Sequence, residues 1–151
     1  ILILDGISDP HNLGACLRSA AASDVDAVIV PKNKSCHLTP TVRKISCGAS
    51  ELIPFVIVTN IVRTINLLKE NGVMVYGSDL QATNAHDEIE FTKKNALIIG
   101  SESKGIRRLT RENCDKLIKI HMSEKMDSLN ASVSAGILLF EISRQNKINA
   151  K

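Results

Sequence analysis

Ser128-Leu129-Asn130-Ala131-Ser132-Val133-Ser134, running into Ala135-Gly136-Ile137-Leu138-Leu139-Phe140, decides how this chain folds. A polar loop ends there and a buried helix begins, expected over residues 131–145. A helix start leaves backbone N–H groups unpaired, and small hydroxyl and amide side chains crowd this one. The junction therefore suits a polar or anionic ligand. Just before the loop, residues 117–120 read as a strand. Further back, the continuous apolar run at 1–4 reads as a strand buried on both faces, and 27–30, 55–58, 73–76 and 96–99 read as further strands. Helices separate most of them. Asn12 is placed to cap one through residue 22, with Leu13, Leu17 and Ala20 inward. Thr39-Pro40 opens a short one that ends before Gly48. Asn60 caps another, carrying Ile61, Ile65 and Leu68 and ending at Asn71-Gly72. This alternation predicts an α/β fold: a mostly parallel open sheet with helices on both faces. The tail 146–151 is polar and expected to fray.

A chain of 151 residues with 44% hydrophobic content has the size and balance of one domain with a sizeable core. Its longest apolar runs are too short for a membrane span. Ile1 rather than Met opens the chain, so an upstream segment is expected. A net charge of +3 permits a nucleic-acid partner without demanding one. Aromatic content is only 3% and Trp is absent, which disfavours base stacking and leaves Arg, Lys and backbone donors to grip any RNA. Cys16, Cys36, Cys47 and Cys114 form no C-x-x-C pair and no zinc-like cluster. They read as small buried thiols of a reducing cytosol, and no metal is expected.

Three loops follow strands and gather polar residues: 5–12, 100–105 and 121–130. If their strands are neighbours, Asn12, Arg18, Glu102, Ser128 and Asn130 meet at one sheet edge, where ligands of such sheets bind. Asn12 is readable as a helix cap or as an orienting amide, and Arg18 as a solvated or a functional cation. Residues 77–94, irregular and following a strand, are a candidate ligand loop. Gly100-Ser101-Glu102-Ser103-Lys104-Gly105 lacks the order of a phosphate loop, and Gly6 and Gly14 have the wrong spacing for a dinucleotide turn. Lys104, Arg107 and Arg108 flank the Glu102 loop and are the better candidates in a basic rim that includes Lys32, Lys34, Arg43, Lys44 and Arg111.

Asp9-Pro10-His11-Asn12-Leu13-Gly14 with Arg18, Gly100-Ser101-Glu102 with Gly105, and Ser128-Leu129-Asn130 with Ser132 resemble the three motifs of SpoU-type RNA ribose methyltransferases, of the SPOUT class. The match covers essentially the whole chain, in order. Arg107-Arg108-Leu109-Thr110-Arg111 and Leu138-Leu139-Phe140-Glu141 resemble the bacterial members that 2′-O-methylate a guanosine of 23S ribosomal RNA. The chain departs at Ser103, where the family motif carries Gly, and at His121 and residues 123–127, where it carries Pro and a glycine-containing loop.

The resemblance implies a C-terminal deep trefoil knot, a homodimer with its site near the interface, a cytoplasmic setting and S-adenosylmethionine as cofactor. It implies that 1–151 is the catalytic domain, with an N-terminal RNA-binding domain preceding it. Cofactor contacts are implied for Gly77, Ser78 and Asp79, for Ile99, Gly100 and Glu102, and for Ile120, Met122, Leu129 and Asn130. It implies catalytic roles for Arg18, Asn12, Glu102, Ser128 and Asn130, with RNA contacts from Arg18, Lys104, Arg107 and Arg108. A guanidinium keeps its proton up to a pKa above about 12. Arg18 is therefore expected to bind phosphate and stabilise 2′-oxyanion charge rather than act as a base. A transfer-RNA substrate, and a non-catalytic RNA- or cofactor-binding domain on the same scaffold, stay open.

Overall fold

The apolar runs at the sheet centre become strands covered on both sides, whereas the run at 55–58, at one edge, leaves Val56 and Ile57 exposed; the computed structural model describes residues 1–150. The elements are β1 (Leu2–Asp5), α1 (Pro10–Ala22), β2 (Val28–Pro31), α2 (Pro40–Ile45), α3 (Ala49–Leu52), β3 (Phe55–Val58) and α4 (Ile61–Glu70). They continue as β4 (Met74–Ser78), β5 (Asn84–Ala85), β6 (Asn95–Gly100), α5 (Arg108–Asn113), β7 (Lys116–Lys119) and α6 (Ala131–Asn149). Seven strands form one sheet in the order β3-β2-β1-β6-β4-β7-β5, and every pairing is parallel.

The two-residue period of a strand splits the core in two. Leu2 and Leu4 face one cluster with Leu13, Leu17, Leu138 and Leu139, beneath α1 and α6. Ile3 faces the other, with Ile61, Ile65, Val75 and Ile98, beneath α4. Gly14 lets α1 approach its neighbour, since a Cβ there would sit 2.6 Å from Ile45 Cγ2.

Four local expectations are corrected. Asp9, not Asn12, caps α1, because Pro10 fills the first helical position and the Asp9 carboxylate accepts from His11 N–H at 3.0 Å. The tail expected to fray is helical to Asn149. Three short elements, α3, α5 and β5, were too brief to show a period; β5 lies inside the stretch read as irregular. Of the four cysteines only Cys16 is fully buried, and Cys47 is exposed. Burial pushes the Cys16 thiol up to about 12, and burial with nearby Asp115 pushes Cys114 to about 12. Thr39 and Asn60 cap α2 and α4 as expected.

Candidate active site

β1 and β6 lie side by side at the sheet centre, and the helices that follow them, α1 and α5, cover opposite faces. The chain parts there, leaving a crevice beyond the carboxyl ends of the strands. Asn12 enters it from the first turn of α1, Glu102 from the loop after β6 and Asn130 from the cap of α6. Asn12 Nδ2 donates to Glu102 Oε1 at 3.1 Å, and Asn130 Nδ2 donates to the same oxygen at 2.5 Å. Asn130 Nδ2 also lies 2.9 Å from Asn12 Oδ1, and the Ala131 N–H donates to Glu102 Oε1 at 3.1 Å. Asn130 Oδ1 in turn accepts from Ser132 N–H at 2.9 Å and from Ser132 Oγ at 2.5 Å. One carboxylate thus ties three segments and satisfies an orphan donor of α6.

Against this network lies a cavity of about 400 Å³. Its size falls in the range of small-molecule sites, roughly 300–1,000 Å³. Ile99, Ile106, Ile120 and Leu129 supply apolar wall, and Ser78, Asp79, Met122, Ser128 and the Gly100–Lys104 segment are among its other lining residues. Most residues expected at the cofactor are therefore here. Asn12 and Asn130 reach the site through Glu102 rather than as wall. Gly77 is buried behind it, where a Cβ would come 2.8 Å from Cys114 Sγ. Lys104 lines the cavity; Arg107 and Arg108 are exposed beyond it. Arg18 is exposed on α1, outside the cavity lining of its own chain and without a hydrogen bond or ion pair among the described residues.

The Glu102 loop is held by its own backbone. Ser101 and Gly105 pair across it, at 3.2 and 2.8 Å. A Cβ on Gly100 would fall 2.1 Å from the Gly105 carbonyl carbon, so only glycine fits. Ser103 replaces the glycine of the motif at no backbone cost, since its φ is not positive. The loop from His121 to Asp127 has no positive-φ residue either, so it turns without a glycine. Two further cations line the cavity. Arg111 Nε contacts Asp79 Oδ2 at 2.7 Å, and Lys119 stands at the end of β7. Arg111 was read only as part of a rim, and no spacing in the sequence pairs it with Asp79.

The sequence profile of the SpoU rRNA Methylase family matches residues 1–140. The chain belongs to the SpoU rRNA methylase family. Among SpoU relatives, a Pseudomonas putida protein named "23S rRNA (guanosine-2'-O-)-methyltransferase RlmB" is 51% identical over 98% of this chain and 60% of its own length. A Vibrio cholerae protein of the same name is 52% identical over 99% of the chain and 60% of its own length. The chain spans about 60% of the length of these curated relatives. Among solved SpoU structures, AviRb from Streptomyces viridochromogenes in complex with AdoMet superposes with a TM-score of 0.90 at 26% identity, over 97% of this chain and 57% of that one. The A. aeolicus TrmH/SpoU tRNA modifying enzyme gives 0.89 at 27% identity, over 99% and 76%. The parallel sheet is thus the SpoU sheet, and the three SpoU motifs converge on Glu102.

Proposed function

We propose that this chain transfers a methyl group from S-adenosylmethionine to a ribose 2′-oxygen of RNA, at a guanosine of 23S ribosomal RNA. One observation carries this: Asn12, Glu102 and Asn130, from three distant motifs, share one carboxylate oxygen at the rim of a ligand-sized cavity. The 23S rRNA methyltransferase relatives support the substrate, and the AdoMet-bound AviRb structure supports the cofactor.

The residues present fit that cofactor. Ile99, Ile120 and Leu129 offer apolar wall for an adenine, and Asp79, Arg111, Ser128 and Ser134 offer polar groups around it. When bound, S-adenosylmethionine supplies a methyl group already activated on a sulfonium. The protein's part is then alignment. Glu102 Oε1 is used by the network, while its Oε2 has no hydrogen bond among the described residues and is available to a ribose hydroxyl. Asn12 fixes the carboxylate from the α1 side, and Asn130 from the α6 side. Arg18 holds phosphate and stabilises developing 2′-oxyanion charge as a donor.

The enzyme works as a homodimer in the cytoplasm, with its C-terminal segment threaded as a trefoil knot. Support for the dimer comes from α6, where Val133, Ile137 and Phe140, at i, i+4 and i+7, are 48%, 36% and 52% exposed. Arg18, outside its own cavity, is then supplied by the partner subunit. The test is methyl mapping on ribosomal and transfer RNA incubated with protein and methyl donor. A single 2′-O-methylguanosine in 23S RNA is expected, and Arg18→Ala should lose transfer while donor binding survives. Transfer into tRNA alone would reassign the substrate. A chain that fails to bind donor in the millimolar range would be a non-catalytic domain.

A further inference from the structure

Asp5 closes β1 with a carboxylate that the reaction above does not use. The residue is 1% exposed and its side chain is fully covered. Its Oδ2 accepts the Arg107 backbone N–H at 3.0 Å. Its Oδ1 has no hydrogen bond among the described residues and lies 3.4 Å from Arg107 Nε. A carboxylate this desolvated is costly unless a cation stands beside it. Arg107 is that cation, yet it is not itself buried: its side chain is 43% exposed.

The guanidinium is therefore ion-paired along one edge, at 3.4 Å and without a hydrogen bond, and free along the other. Nε faces Asp5, and the two terminal nitrogens make no hydrogen bond among the described residues. Beneath it lies Gly6, at φ 87, a conformation that other residues rarely adopt. A Cβ there would sit 3.6 Å from Arg107 Nη2. The arrangement stands where the β1 loop meets the loop that carries Glu102, five residues before Arg107. A fork of donors, biased in direction by a buried carboxylate and open to solvent, matches a phosphate better than a free ammonium does.

We propose that Asp5 is a positioning residue that aims the Arg107 guanidinium at one backbone phosphodiester of the RNA bound over the Glu102 loop. This rests on the RNA reading of the site and adds a phosphate subsite outside the cofactor cavity. Charge counting and positioning predict opposite signs for Asp5→Asn. Removing a negative charge should tighten RNA binding non-specifically; if Asp5 aims Arg107, the same change loses a specific contact.

Phosphate-ethylation interference on a 23S RNA transcript, with the full chain as wild type, Arg107→Gln, Arg107→Lys and Asp5→Asn, reads this directly. Arg107→Gln should lose one interfering phosphate, and Asp5→Asn the same one, with no tightening of overall binding. Arg107→Lys should lose it too, because an ammonium keeps the charge but not the fork. With methyl transfer, kcat/KM for RNA should fall about tenfold in each single variant, as for a lost charge-assisted bond, and no further in the double variant Asp5→Asn/Arg107→Gln. Donor affinity by calorimetry should stay within about twofold of wild type in all of them. An unchanged phosphate pattern in Asp5→Asn, or additive losses in the double variant, would overturn the role of Asp5. Should Asp5→Asn not fold, Arg107→Lys decides alone: retention of the phosphate overturns the proposal. Wild-type protein that methylates no RNA would overturn the enzymatic reading instead, while the ethylation pattern still decides Asp5.

Discussion

Glu102 Oε1 receives three N–H donors, two from side chains and one from the backbone of α6. Glu102→Gln keeps an acceptor of the same shape but removes the charge that shortens and strengthens such bonds. We expect kcat for methyl transfer to fall about tenfold to a hundredfold, with a Tm within a few degrees of wild type. Initial rates beside a thermal melt check this, and an unchanged kcat would remove Glu102 from the site. The neighbouring assignments divide as cleanly. Asp9 caps α1, which leaves the Asn12 amide free to turn toward Glu102 and Asn130. In the sequence the two roles competed for Asn12; the Pro at the next position after Asp9 was the local cue that separates them.

Along α6, one helix serves both ends of the molecule. Its cap belongs to the site, and its third turn holds Glu141, which accepts from Arg144 and Gln145, each at an i+3 or i+4 spacing. Gln145 also accepts from Phe91 N–H at 2.9 Å and donates to Ile89 O at 3.0 Å, strapping the segment after β5 to the helix. Hydrogen bonding from Arg144 holds the Glu141 carboxyl at about 2, below its ordinary 4.5. The ionised form therefore stabilises the fold above pH 4.5, and that contribution is lost as the pH falls through 2. Solvent around Arg144 screens the pair and keeps that contribution small. Urea melts of Glu141→Gln should show a small deficit at pH 7 and a smaller one at pH 3. Six strands and four helices were legible in the sequence because each is a long apolar run or carries a cap and a period. α5 and β5 were not, being six and two residues long and set by tertiary contacts. The three motif residues of the site were legible by resemblance. The Asp5–Arg107 and Asp79–Arg111 pairs were not, since each joins residues that only the closed sheet brings together.

At the scale of the whole molecule, the centre of the sheet is covered on both faces, while its β3 edge and a stripe of α6 leave apolar side chains in water. Phe140, 52% exposed, can be changed without disturbing the core. In the proposed dimer, Phe140→Glu should halve the mass seen by light scattering and abolish methyl transfer, because Arg18 would no longer reach a partner's cavity. A dimeric mass in that variant would place the interface elsewhere. The carboxylate network has a consequence for biosynthesis as well. Its members stand 90, 118 and 28 residues apart, and Asn130 follows every strand. A nascent chain can thus have made its entire sheet and still possess no completed pocket, so the proposed methyl donor cannot act as a template for early folding. Metabolite supply should alter the lifetime of finished protein, and leave the yield of emerging chains untouched.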